Sequence, residues 1–317
     1  MKIQHTAIVG MGALGLLYGQ HIQQAAGPGS VCFVMDAPRL EKHRRDRYTI
    51  NGQPQEFPMT EYSQASPADL VIIATKQTGL EEALEEMAPL VGPHTVLLSV
   101  MNGITSEESI ARHFGDENLV WCVAIGMDAM RDGTDLRYTQ KGRLQIGAVS
   151  PRQQPALEAV REFFERIGLP HSVEEDIRRA MWAKFLLNVG INQTCMVFET
   201  TYQGALDTPE YFRMMSGAMQ EVIALAQKEG VRLTQEDYEN YLKILRTLDP
   251  NGYPSMRQDA LAHRKSEVDL FVGGHGDPPG PPARAGRALQ RIFSAPRPGD
   301  GSGVLRGSGP YKREAFA

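Results

Sequence analysis

The chain is poor in the residues that staple, anchor or charge a surface. Its three cysteines, Cys32, Cys122 and Cys195, lie far apart in 317 residues. That spacing speaks against a disulfide framework and against a metal site, and no metal is expected. No apolar run approaches the ~20 residues of a membrane span. No secretory leader is expected either, because strand-like residues begin at once. Charge of one sign is scarce as well. A net charge of −5 provides no broad basic face for nucleic acid. The basic stretch "RLEKHRRDR" at 39–47 is local and reads as a solvated helix face. With 42% hydrophobic and 22% charged residues, the composition is that of a globular protein, expected in the cytoplasm.

What is present begins at residue 7, with "AIVGMGALGL". An apolar strand runs into Gly10-Met11-Gly12-Ala13-Leu14-Gly15, and "ALGLLYGQHIQQA" continues as a helix. Strand, glycine loop and helix in that order form the context a dinucleotide-binding loop requires. Gly10 allows the tight turn, Gly12 lets backbone approach a pyrophosphate, and Gly15 lets helix and strand pack closely. The helix N-terminus adds free N–H groups and partial positive charge. A second strand, "SVCFVMD" at 30–36, ends in Asp36, 21 residues past Gly15. A carboxylate there bonds the ribose hydroxyls of NAD, whereas an arginine accommodates the extra phosphate of NADP. Asp36 is followed by Arg39, Lys42, Arg44 and Arg45, so both signals are present.

Further apolar strands at 68–76, 94–103 and 118–126 place Lys76 and Asn102-Gly103 at strand ends. Ligands bind at such ends in open α/β sheets. "DLRYTQKGRLQIGA" at 135–148 reads as a hairpin closing the domain, and 155–168 as an amphipathic helix. The expected fold class is therefore α/β: a Rossmann dinucleotide-binding domain over 1–170 and an all-helical substrate domain over 171–272.

The helix expected over 173–198 is apolar almost all round from Ala180, yet Lys184, Asn188 and Asn192 recur every fourth residue. Four residues of α-helix overshoot one turn by only about 40°, so the three form a stripe. Burying them unpartnered would cost several kcal/mol, so the stripe is expected to face a polar ligand. A lysine there can polarise a carbonyl and donate a proton to a developing alkoxide. A second helix, over 254–271, starts at Ser255 with Gln258 three later, the spacing of a capping box, and carries His263 and Glu267. His263 reads as structural, and Glu267 borders an apolar stripe.

These motifs together resemble the ketopantoate reductase (2-dehydropantoate 2-reductase) family. The resemblance rests on G-M-G-A-L-G at 10–15, Thr75-Lys76, Asn102-Gly103, K-F-L-L-N-V-G-I-N at 184–192 and S-M-x-Q-D…E at 255–267, and it spans residues 1 to about 272. It implies reduction of 2-dehydropantoate to (R)-pantoate by NADPH, on the way to pantothenate and coenzyme A. Lys184 would be the general acid, Asn188 and Asn192 would hold the substrate, and Ser255 would bind its carboxylate. Glu267 would lie beside substrate and cofactor as a second catalytic residue. Lys76 and Asn102 would position the nicotinamide end, and Ala129 would line the cofactor site. Relatives of this kind are commonly homodimers.

The chain departs from the family in three places. Asp36 stands where NADP-dependent members usually prefer a basic residue, so NADP is the first expectation and NAD stays open. Gln203-Gly204 replaces the family's Asn-Gly, a longer amide still able to reach substrate. From 273 to 317 the composition changes abruptly, to 10 Gly and 7 Pro in 45 residues, where the family has a long apolar helix, a Gly-Ile-Pro turn and a closing helix. A frameshift near residue 272 accounts for this; a lineage-specific tail is the plainer alternative. Intact mass of the native protein and resequencing of the coding DNA separate the two. Two other functions stay open: an NAD(P)H-dependent reductase of a different small 2-keto acid, and a non-catalytic dinucleotide-binding regulator. The latter would have no need of the Lys184 stripe.

Overall fold

The computed structural model describes residues 2–261, and the chain divides into two compact units, one up to Met181 and one from Trp182. The expected tail at 273–317, His263 and Glu267 lie outside the described residues.

The first unit is a doubly wound sheet. Strand β1 (Thr6–Val9) leads through the glycine loop into α1 (Ala13–Ala26) and returns as β2 (Val31–Met35), parallel to β1. Helix α2 (Ala37–His43) follows, then three short strands, β3 (Tyr48–Ile50), β4 (Gln53–Gln55) and β5 (Met59–Glu61). The chain then crosses to the other side of β1 as β6 (Leu70–Ile73), and α3 (Leu80–Glu86), β7 (Val96–Ser99), α4 (Ser106–Phe114) and β8 (Leu119–Met127) continue outward. Short strands β9 (Met130–Asp132) and β10 (Asp135–Arg137) precede β11 (Lys141–Gly147), α5 (Gln154–Arg166) and β12 (His171–Val173). The large sheet has the order β12-β11-β8-β7-β6-β1-β2-β5, and β4-β3-β10-β9 form a smaller one.

β1, β6 and β7 are buried at every position, which a parallel sheet covered on both faces demands. Alternate residues of β1 serve the two faces. Ile8 joins the core with Leu16, Ile22 and Phe163, while Ala7 and Val9 join Leu80, Leu84 and Ile110. Because β2 lies on one side of β1 and β6 on the other, the chain reverses direction of growth at β1. That is the switch point at which α/β sheets open a crevice.

The hairpin expected over 135–148 does not form. β10 pairs with β9 and β3, whereas β11 runs antiparallel to β8 and parallel to β12. Leu136, Leu144 and Ile146 are all buried in one core, but the two strands reach it with different hydrogen-bonding neighbours. The helix expected from residue 173 also starts later. β12 extends the large sheet, and Glu174 donates its N–H to the Ile146 carbonyl. Asp176 then caps α6 (Ile177–Leu187) by accepting from the Arg179 N–H at 2.9 Å. Gly147 packs directly on Ile177, so the start of α6 belongs with the sheet and the units divide past residue 170.

In the second unit α6 runs into a π-helical turn, Asn188–Asn192, and then α7 (Gln193–Val197). Helices α8 (Tyr202–Asp207), α9 (Pro209–Lys228), α10 (Gln235–Leu245) and α11 (Ser255–Leu261) follow. Met215, Ala218, Met219, Val222 and Ala226 line the buried face of the long α9. A Cβ at Gly190 would come within 2.5 Å of Met219, so only glycine lets α9 press on the π turn there.

Candidate active site

Three adjacent strands deliver the predicted cofactor residues of the first unit to one edge of the sheet. β1 ends in the Gly10 loop, β6 in Thr75-Lys76, and the neighbouring β7 in Met101-Asn102. Lys76 is exposed and Asn102 half-buried. Asp36 follows β2 directly, and Ala129 follows β8, so both stand at the same edge.

The three loop glycines serve different ends. Gly10 has φ +110°, where side chains are strained, and a Cβ there would sit 2.5 Å from the Ala74 carbonyl oxygen. A Cβ at Gly15 would run into the Gly10 carbonyl. The protein's own packing requires both. Gly12 is different: it adopts an ordinary extended conformation, and an added Cβ would meet only the Ala74 oxygen, at 3.6 Å. Glycine at 12 therefore leaves open surface at the start of α1 rather than relieving a clash. Gly12 caps α1 without a side-chain hydrogen bond, and no acidic residue occupies the first turn. The orphan N–H groups there suit a diphosphate. These features fit a nicotinamide dinucleotide.

The sequence reading missed a cation at this loop. Arg131, on β9, donates from its guanidinium to the Met11 carbonyl, and from Nε to Gly133 O at 2.8 Å. It also lies 5.9 Å over the Tyr48 ring. The Tyr48 hydroxyl bonds His43 at 2.6 Å and donates to Asp46 at 2.9 Å. Burial and that bond to Asp46 push the Tyr48 hydroxyl above its ordinary range, so it stays protonated. The signal available in the sequence was Arg131-Asp132-Gly133, immediately after Ala129-Met130.

Asp36 is already engaged. Its carboxylate accepts the Arg39 N–H at 2.7 Å as the cap of α2 and pairs with the Arg39 guanidinium at 2.7 Å. Arg39 reaches on to Glu82 at 3.2 Å. Burial, with Asp36 and Glu82 nearby, raises the Glu86 carboxyl above its usual range.

In the second unit the stripe lies where the helix changes its winding. Asn188 and Asn192 are only 9% and 6% exposed, and Lys184 is half-buried. No hydrogen bond among the described residues takes up either amide. The π turn matters for alignment. Each residue advances less in its wider coil, so the roughly 40° drift between Lys184 and Asn188 is partly undone by Asn192. Gly190 faces α9, and Thr194 donates its hydroxyl to the Gly190 carbonyl at 2.8 Å; Asn188 and Asn192, two residues to either side of Gly190, lie on the other side of the helix.

α11 packs against the π turn and α7, bringing Ser255, exposed at its first residue, into the same unit as the stripe. The capping box expected at Ser255 is not what starts this helix. Pro254 O accepts the Arg257 and Gln258 N–H groups, and Gln258 Nε2 donates to Tyr253 O at 3.1 Å. Gln203 lies in the first turn of α8, and its N–H bonds Pro250 O at 3.2 Å in the loop before Ser255. Among the described residues no helix is long and apolar enough to cross a membrane, and no cluster of His, Cys, Asp or Glu could hold a metal ion.

Two family models match the chain: Ketopantoate reductase PanE/ApbA over residues 6–151, and its C-terminal counterpart over 176–275. A 2-dehydropantoate 2-reductase of Streptococcus pyogenes serotype M6 is 24% identical over 275 residues, covering 84% of this chain and 88% of that protein. The solved 2-dehydropantoate 2-reductase of Geobacter metallireducens GS-15 superposes with a TM-score of 0.76 at 24% identity, over 91% of this chain and 96% of that one. A ternary structure of D-mandelate dehydrogenase with NADH and anilino(oxo)acetate gives 0.75 at 21% identity, over 92% and 93%.

Proposed function

The chain is an oxidoreductase of the ketopantoate reductase family, and from that premise we propose that it reduces the ketone of 2-dehydropantoate to the hydroxyl of (R)-pantoate, in the cytoplasm, toward pantothenate and coenzyme A. A reduced nicotinamide dinucleotide would supply the hydride. The observation that carries the reading is the polar stripe: two buried amides, Asn188 and Asn192, in line with the half-buried ammonium of Lys184 on a largely apolar helix. The two amides are costly to bury unless a polar group meets them.

The roles follow from chemistry. The Lys184 ammonium would polarise the ketone oxygen, stabilise the charge that develops on it and then protonate it. Asn188 and Asn192 would donate to substrate oxygens, Ser255 would take the carboxylate, and Gln203 would reach the substrate from α8. Lys76, Asn102 and Ala129 would orient the nicotinamide end. Glu267 enters this reading through the family resemblance as a second catalytic group.

A second reading, reduction of another small 2-oxo acid, is favoured by the likeness to D-mandelate dehydrogenase. The test is cofactor oxidation by the purified chain, followed by nicotinamide absorbance, with 2-dehydropantoate and with a panel of aliphatic and aryl 2-oxo acids. Turnover highest on 2-dehydropantoate and lost in Lys184→Ala is the expected result. A higher kcat/KM on an aryl 2-oxo acid would move the assignment to the second reading. Tight cofactor binding with no turnover on any of them would leave a regulator.

A further inference from the structure

We infer that the end of this cofactor site beyond β2 selects NADH over NADPH, with Asp36 as the ribose acceptor and Glu82 and Glu86 as the charges that turn away a 2′-phosphate. The inference rests on dinucleotide binding at the glycine loop. It reverses the NADPH expectation that comes from the family resemblance.

The sequence left the choice open because four cations follow Asp36. The structure accounts for those that could matter most. Arg39, the cation nearest the strand end, is shared between two carboxylates, Asp36 at 2.7 Å and Glu82 at 3.2 Å. Its backbone N–H also goes to Asp36. Arg45 is paired with Glu41 one helical turn away. Lys42 and Arg44 are exposed at the far end of α2. None of them stands at the end of β2 as an uncommitted partner for phosphate.

The carboxylates outnumber the cation. Asp36 is mostly covered, with 17% of its side chain exposed; Glu82 of α3 meets the same Arg39 guanidinium, and Glu86, one turn further along α3, is near enough for the Asp36 and Glu82 charges to disfavour its own. One Glu86 oxygen is buried with no hydrogen-bond partner. Arg39 carries a single positive charge against three acidic side chains. A phosphate monoester brings nearly two more negative charges at neutral pH, and like-charge juxtaposition of this kind suppresses binding strongly. Ribose hydroxyls instead bring donors. Each Asp36 oxygen accepts one bond from Arg39 and has a lone pair to spare.

The experiment titrates the full chain, without substrate, with NADH and with NADPH, and reads nicotinamide fluorescence. NADH should bind at least about tenfold more tightly, and the gap should narrow as salt is raised. 5′-AMP should displace bound NADH at lower concentration than 2′,5′-ADP, which locates the discrimination at the 2′-phosphate. Asp36→Ser retains an oxygen to cap α2 and removes the charge, so it should shrink the gap. Glu82→Gln, on an exposed side chain, should shrink it further without touching the cap. NADPH binding as tightly as NADH in the unaltered chain overturns the inference, as does a gap that neither variant changes. Failure of both cofactors to bind overturns the glycine-loop reading itself, and the inference falls with it.

Discussion

At the sheet edge of the first unit, what is offered to a ligand is backbone: orphan N–H groups at the start of α1 and the open surface that Gly12 leaves. In the second unit it is side chains: an ammonium and two amides on a helix that changes pitch beneath them. The two kinds of site have opposite weaknesses. A backbone site shares its atoms with the fold, so Gly10 and Gly15 cannot change without disturbing the sheet. A side-chain site can be emptied while its helix stays packed on α9. Under the proposed function, the backbone site would hold the cofactor by shape and phosphate, and the side-chain site would supply a proton at one atom.

The most severe test of that contrast is Lys184→Ala. If side chains carry the chemistry, kcat should fall by about 10²–10⁴-fold, roughly 3–5 kcal/mol of transition-state stabilisation, with little change in Tm. A large drop in Tm instead would mean that the stripe is structural. In the first unit Gly10→Ala should do the reverse. A Cβ 2.5 Å from the Ala74 oxygen at φ +110° should cost about 3 kcal/mol or more, read in urea unfolding, and cofactor binding should fail along with the fold.

Glu107 sharpens the comparison through pH. It is buried at 1% exposure on α4, and burial pushes its carboxyl up to about 7 even though it accepts from Ser106 Oγ at 2.9 Å. A folded-state value above the unfolded one means that folding favours the protonated form. The contribution is complete below about pH 4.5 and is lost as pH rises through about 7, by an amount on the order of 3 kcal/mol. Glu107→Gln should flatten the pH dependence of urea unfolding across that window; an unchanged slope would place the titration elsewhere. The smallest effect separates two glycines of one loop. Gly12→Ala meets no clash, so Tm should hold within a degree or two while dinucleotide affinity falls about tenfold. Unchanged affinity would show that no ligand group approaches Gly12.

Much of the first unit was legible because its signals are local. An apolar run, three spaced glycines and a helix face each report within a dozen residues. The strand-end positions of Lys76 and Asn102 followed from those runs alone. The stripe was legible for the same reason, since every fourth residue is a local pattern. What escaped was pairing between distant segments. Three residues between β10 and β11 suggested a hairpin, but β10 pairs with β3, about 85 residues earlier, while β11 pairs with β8, and neither partner is marked in the local sequence. Arg131 escaped because its partner is a carbonyl at Met11, 120 residues earlier. The π turn escaped because nothing in "NVGIN" marks i→i+5 winding; Met215 and Met219 of α9 press on Gly190, and that contact is tertiary.

The sequence by itself determined the α/β first unit, the helical second unit, the glycine loop and the polar stripe, because periodicity and glycine spacing are set by covalent order. Only the tertiary structure decided which cations are committed. Four basic residues after Asp36 are alike on paper, and their meaning comes from the carboxylates of α3 that fold against the nearest of them. Charge acts through space, and a sequence does not record distance.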